Sequence, residues 1–162
     1  LGLCRRWQEI PKPTIAMVQG ACIAGGVMLA MVCDLIVASD DAYFQDPVMR
    51  MGVPGVEYSA HMFDLPPRIA REFIMLGLRM PAQRAYDLGL INRVVADEDL
   101  DAAAVEMAQK LVKLSASSLR HTKAFMRDPD ALWAVIRAEG AVFRQQLLSP
   151  EAQAAFAAFF NR

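Results

Sequence analysis

The segment from Thr14 to Asp34 constrains the fold more than any other. It opens as Thr14-Ile15-Ala16-Met17-Val18-Gln19, a short apolar run between Pro11-Lys12-Pro13 and Gly20, which is the pattern of a buried strand. Ala21-Cys22-Ile23-Ala24 follows, and Gly25-Gly26 then opens Val27-Met28-Leu29-Ala30-Met31-Val32-Cys33. That stretch has no polar face, so a helix over roughly 26–32 is expected to be wholly buried. It stops at Asp34 and is too short to span a bilayer, which takes about 20 apolar residues. A strand that turns through small residues into a helix leaves N–H groups unpaired at the helix start, with the positive dipole end behind them. Such a place suits a negatively charged oxygen. Taken alone, however, a Gly-Gly pair before a helix is explained more simply by close helix–strand packing.

The rest of the chain alternates before it becomes helical. Asp34-Leu35-Ile36-Val37-Ala38 and Ala42-Tyr43-Phe44-Gln45 read as two further short strands. Val53 to Pro67 is irregular and rich in turn residues. From Pro67 the pattern is helical, with Ile69, Phe73, Ile74, Met75 and Leu76 expected on one side and a stop at Gly77. Pro81 to Leu88 is a short helix stopped by Gly89, and Ile91-Asn92-Arg93-Val94-Val95 is a strand. Beyond Asp97 helices are expected over roughly 99–114, 116–127, 130–148 and 150–161. β-rich structure thus comes first and a helical region follows.

Composition narrows the function classes. With 162 residues and 55% hydrophobic content, a folded core is expected and intrinsic disorder is excluded. Seventeen Lys and Arg against eighteen Asp and Glu leave a net charge of −1, with no bulk pull toward nucleic acid or anionic membrane. Cys4, Cys22 and Cys33 sit among small apolar residues and read as reduced core thiols of a cytoplasmic protein. Leu1-Gly2-Leu3 lacks a basic n-region, so no signal peptide is expected, and the abrupt start suggests a piece of a longer chain. The sequence contains no phosphate loop, no metal-spaced His/Cys cluster and no Gly-x-Ser-x-Gly. Met28, Met31, Met49, Met51 and Met62 are mostly core filler; if they line a pocket, they suggest a roomy apolar one.

The full string Lys12-Pro13-Thr14-Ile15-Ala16-Met17-Val18-Gln19-Gly20, Ala24-Gly25-Gly26 and Leu29-Ala30-Met31-Val32-Cys33-Asp34 resembles the crotonase superfamily, the enoyl-CoA hydratase/isomerase family. Further segments agree in order and spacing. Phe44-Gln45-Asp46-Pro47 with Met51-Gly52-Val53-Pro54-Gly55 looks like the family's strand and following loop. Ala82-Gln83-Arg84-Ala85-Tyr86-Asp87-Leu88-Gly89-Leu90-Ile91-Asn92-Arg93-Val94-Val95 is similar to its helix–Gly–strand signature. Ser115-Ala116 into Lys123 resembles its next helix, and Phe156 stands where the family has an aromatic residue.

The resemblance implies an α/β fold: the C-terminal part of a ββα spiral over 1–96, incomplete at its N-terminus, and a helical trimerisation region over 97–162. It implies an acyl-CoA thioester as substrate, with coenzyme A part of that substrate and no separate cofactor or metal. It also implies a homo-trimer or homo-hexamer. Two backbone N–H groups would bind the thioester oxygen and stabilise an enolate. One is the middle glycine of the family's turn, here Gly25 after Ala24; the other lies upstream of this chain. The family's two hydratase glutamates are replaced by Met28 and Val48, and neither can carry a proton. Glu57, His61 and Asp46 are the candidate carboxylates and base nearby. Glu57 and His61 share a face if their segment is helical. Asp46 before Pro47 also reads as a helix cap. Phe156 is expected near the CoA, though Phe159 replaces the basic residue that often assists there. The implied enzyme is isomerase- or lyase-like, and the alternative is an impaired relative that binds acyl-CoA or assembles with active subunits.

Overall fold

The computed structural model describes residues 2–53 and 65–126, together with 148, 150, 153, 154, 157 and 158. Glu57, His61, Met62 and Phe156 lie outside the described residues, as does nearly all of the helix expected over 130–148. The chain forms two compact units, residues 1–44 with 80–128 and residues 45–79 with 129–162.

The first unit opens with α1 (Gly2–Gln8), a short helix whose mixed sequence gives no clear periodicity. Strand β1 (Ile15–Val18) leads through Gly20 into β2 (Ala21–Ile23), then α2 (Gly25–Met31), β3 (Leu35–Ser39) and β4 (Tyr43–Gln45). In the second unit a 3₁₀ turn covers Val48–Met51 and α3 spans Pro67–Leu76. The first unit then continues with β5 (Met80–Pro81), α4 (Ala82–Asp87), β6 (Arg93–Val95), α5 (Leu100–Val112) and α6 (Ala116–Met126). The elements expected between Thr14 and residue 127 are present, with ends shifted by a few residues.

Two three-stranded sheets organise the first unit. One is ordered β1-β3-β6 and is parallel throughout, with Ile15 opposite Leu35 and Val37 opposite Arg93. Central β3 is apolar from Leu35 to Ala38 and ends at the buried Ser39, because both of its faces are covered, as parallel strands require. The other sheet is ordered β2-β4-β5, with β4 and β5 antiparallel. Helix α5 packs on β1 and β3, where Leu100 and Ala103 meet Val37, flanked by Ile15, Val95 and Met107. Helix α2 packs on β1 and β2.

Helix α2 corrects one expectation. It is apolar all round but not wholly buried: Val27, Ala30 and Met31 are buried, whereas Gly25, Gly26 and Leu29 are exposed. Buried positions spaced i, i+3 and i+4 form a single stripe. Gly25, Gly26 and Leu29 stand off that stripe and stay exposed.

In the second unit the 3₁₀ turn lies against α3. Ala70 and Phe73 are buried, with Ile69 and Ile74 half-buried beside them. Met75 and Leu76, expected on the same side, are instead 65% and 53% exposed. At about 100° per residue Met75 lies roughly 200° round from Phe73, away from the buried stripe, whereas Leu76 is on the stripe's side but is the last residue of the helix. Gly77 ends α3 in the left-handed conformation, at φ +58°. A Cβ there would stand 3.0 Å from the Asp46 carbonyl oxygen and 3.1 Å from Arg50 Cδ, so only glycine lets the helix end against this turn. Gln45 Nε2 donates to the Gly77 carbonyl at 2.8 Å and ties the same junction. Among the described residues no helix is long and apolar enough to cross a membrane.

Candidate active site

The turn between β2 and α2 is built by strained backbone. Ala24 has φ 49° and ψ −111°, and among the described residues it is the non-glycine residue with positive φ. A non-glycine residue in such a region costs about 1–3 kcal/mol and persists where its surroundings over-determine it. Its carbonyl accepts the Met28 N–H at 3.1 Å, which closes the first turn of α2. Gly25 is the first helical residue and is exposed. Its N–H belongs to no β-ladder, and among the described residues it has no hydrogen-bond partner. The strain at Ala24 sets the direction of the peptide that carries this donor. Ala24→Gly is therefore expected to stabilise the protein by about 1 kcal/mol, the strain relieved less the extra entropy of glycine in the unfolded chain. A higher urea midpoint at unchanged slope would show it.

Gly26 and Leu29 line a mainly apolar cavity of about 360 Å³ with Trp7, Met17 and Cys22; Gly25 itself does not line it. Burial pushes the Cys22 thiol up to about 11, so it is neutral near pH 7 and serves as lining rather than as a nucleophile or base. Met28 is half-buried, one helical turn after the Ala24 peptide. Tyr43 is half-buried, and its backbone N–H donates to the Gly20 carbonyl at 2.9 Å, which holds β4 beside the turn after β1.

Asp46 and Val48 stand together on the second unit. Asp46 is fully buried, and its Oδ1 accepts the Val48 N–H at 3.2 Å. The 3₁₀ turn begins at Val48 with Pro47 as its cap, so Asp46 stands one residue before the expected cap position, and its carboxylate still satisfies the first N–H of the turn. Val48 is half-buried.

A polar cluster that the sequence did not signal as such lies at the other end of α2. Asp34 Oδ2 accepts from Thr14 N at 2.7 Å, from Thr14 Oγ1 at 2.9 Å and from Lys123 Nζ at 2.7 Å. Asp34 and Lys123 each stand in the segments that carry the family resemblance. Their spacing of 89 residues gives no hint that they meet.

A family profile described as Enoyl-CoA hydratase/isomerase matches residues 1–162. The chain is similar to EchA13 of Mycobacterium tuberculosis, 40% identical over 111 residues, covering 68% of this chain and 35% of that protein. It is also similar to carnitinyl-CoA dehydratase of Citrobacter koseri, 37% identical over 123 residues, covering 74% of this chain and 46% of that one. Among solved structures it resembles an enoyl-CoA hydratase/isomerase from Pseudoalteromonas atlantica T6c, with a TM-score of 0.90 and 26% identity over 98% of this chain and 65% of that one. The chain spans less than half the length of these two curated relatives.

Proposed function

Because this chain belongs to the enoyl-CoA hydratase/isomerase family, we propose that it acts on an acyl-CoA thioester through an enolate held in part by the Gly25 N–H. The observation that carries this reading is the strained Ala24 peptide, which presents Gly25 N–H outside any ladder. A donor aimed at oxygen where charge develops stabilises the enolate more than the starting thioester, by roughly 3–4 kcal/mol.

Met28 and Val48 stand at the positions of the family's two hydratase glutamates, so water activation by that pair is not open to this protein. Moving a double bond needs less. One base removes the α-proton of a 3-enoyl thioester, the electrons pass into the enolate, and the same proton is returned to the γ-carbon. Elimination of a β-substituent that leaves as a stable anion also fits, since the base then has only to take the α-proton; loss of water, the reverse of hydration, would need the second proton carrier that Met28 and Val48 do not supply. We assign the base to Glu57, with His61 four residues on as its partner and Asp46 structural. Ala24, Met28, Val48 and Phe156 would line the acyl-CoA site.

The same reading includes a homo-trimer or a dimer of trimers built through the C-terminal helices. The exposed Val112, Leu114 and Met126 support it as apolar surface suited to an interface. A second reading, an acyl-CoA-binding relative without turnover, is favoured by Met28 and Val48 alone.

The deciding measurement compares crotonyl-CoA hydration with 3-enoyl-CoA isomerisation by the full-length protein. Isomerisation is expected to exceed hydration. Hydration near 10²–10³ s⁻¹, the rate of an efficient enzyme, would overturn the assignment. Binding of acyl-CoA with neither conversion would favour the second reading.

A further inference from the structure

Helix α6 is held to the rest of the first unit by an unusual residue. Ala116, Ser117, Ser118, Arg120 and Thr122 are exposed, and Leu119 is half-buried. Four residues after Leu119, Lys123 turns inward, with its side chain only 11% exposed. Its Nζ donates to Asp34 Oδ2 at 2.7 Å and to the Lys12 carbonyl at 2.9 Å. A lysine so covered does not serve solubility. The carboxylate that it meets is 21% exposed and is already taken up by Thr14.

Asp34 answers with its own backbone. Its N–H donates to the Thr14 carbonyl at 3.0 Å and lies 3.1 Å from Thr14 Oγ1, and Leu35 N–H donates to the same carbonyl at 3.1 Å. Thr14 immediately precedes β1, and Asp34 follows α2 and precedes β3. The cluster therefore pins the foot of β1 and the foot of β3 to one carboxylate oxygen, and the Cys33 N–H, donating to the Ala30 carbonyl at 3.1 Å, links the residue before Asp34 to the last turn of α2. The first residue of α2 is Gly25. The helix is about 10 Å long at 1.5 Å per residue and is stiff along its axis. Where its C-terminal end is fixed, the position of the Gly25 N–H follows.

We infer that Lys123 and Asp34 are positioning residues for the Gly25 donor: their ion pair fixes α2 against the foot of β1 and so sets where Gly25 N–H meets the thioester oxygen. Neither residue touches the substrate. The inference rests on the proposed enolate reading and extends it to a site at the opposite end of the helix. Removing the lysine leaves a shielded carboxylate without its counter-charge, and the foot of the helix shifts to reach water. A displacement of 1 Å at a reacting centre costs up to about 10²-fold in rate.

The test uses full-length protein with Lys123→Met, Lys123→Arg and Thr14→Val. Turnover is measured per folded protein, and the carbonyl stretch of bound, carbon-13-labelled butyryl-CoA is followed by infrared difference spectroscopy. Lys123→Met is expected to lower kcat about tenfold, a fraction of that limit, with KM little changed. It should also reduce the downshift of the bound carbonyl. Lys123→Arg restores both, because a guanidinium supplies the charge and the donors. Thr14→Val, which removes one donor to the same oxygen, gives a smaller change in the same direction and carries the decision if Lys123→Met does not fold. A merely structural pair would lower the unfolding midpoint and leave kcat and the carbonyl shift of the folded protein intact. That outcome overturns the inference alone. A wild-type protein that shows no carbonyl downshift overturns the enolate reading and this inference with it.

Discussion

Gly25→Pro in the full-length protein is expected to lower kcat by about 10²–10³, the loss seen when one oxyanion donor is removed, while Gly25→Ala changes it little. The pair isolates one hydrogen atom. Gly25 is the first residue of α2, where the helix makes no use of the N–H and where proline is well tolerated. A Cβ built at this position meets nothing within 4 Å, so alanine adds a methyl group and keeps the donor. The ψ of −111° at Ala24 lies outside the region favoured before proline, so urea unfolding of both variants must accompany the kinetics. Gly25→Pro with unchanged kcat and native stability would show that another group holds the thioester oxygen.

Glu57→Gln is expected to lower kcat by about 10²–10⁴, the usual worth of a general base, whereas Asp46→Asn leaves kcat nearly unchanged. The contrast follows from what each carboxylate has to do. Asp46 is buried with Oδ1 on the Val48 N–H, and asparagine keeps an acceptor there. With Met28 and Val48 at the hydratase positions, Glu57 is the carboxylate left to move the α-proton in the proposed reaction. A KM unchanged in Glu57→Gln would place the loss in the transition state rather than in binding. A variant indistinguishable from the parent would remove Glu57 from the mechanism.

Local punctuation made most of the described fold legible. Gly20 and Pro13 bracket β1, Gly77 and Gly89 stop the helices before them, and the β3 run reads as a strand because every one of its residues is apolar or small. Pattern failed where its cause was not local. The α2 sequence carries no polar residue, yet three of its seven residues are exposed, because burial depends on which neighbours exist and not on hydropathy. Helix α1 and the short β2 and β5 have too few residues for any period to emerge. The site divides in the same way. The Ala24–Gly25 turn lies in one contiguous string, and the reading of Met28 and Val48 as replaced glutamates comes from the family resemblance alone. The meeting of Lys123 with Asp34 is a long-range pairing that no spacing rule anticipates.

The two pairings of the parallel sheet differ in the length of chain that each must gather. Thr14 and Asp34, at the foot of the β1–β3 ladder, are 20 residues apart, whereas Ile36 and Asn92, where β6 joins, are 56 apart. Since closure entropy grows with the logarithm of loop length, the first closure is easier by about 0.9 kcal/mol. Everything between its ends, including Ala24 and Gly25, is gathered by that shorter loop. The segment that carries the donor can thus take shape early in folding, as one local unit, before the distant chain arrives to complete the sheet.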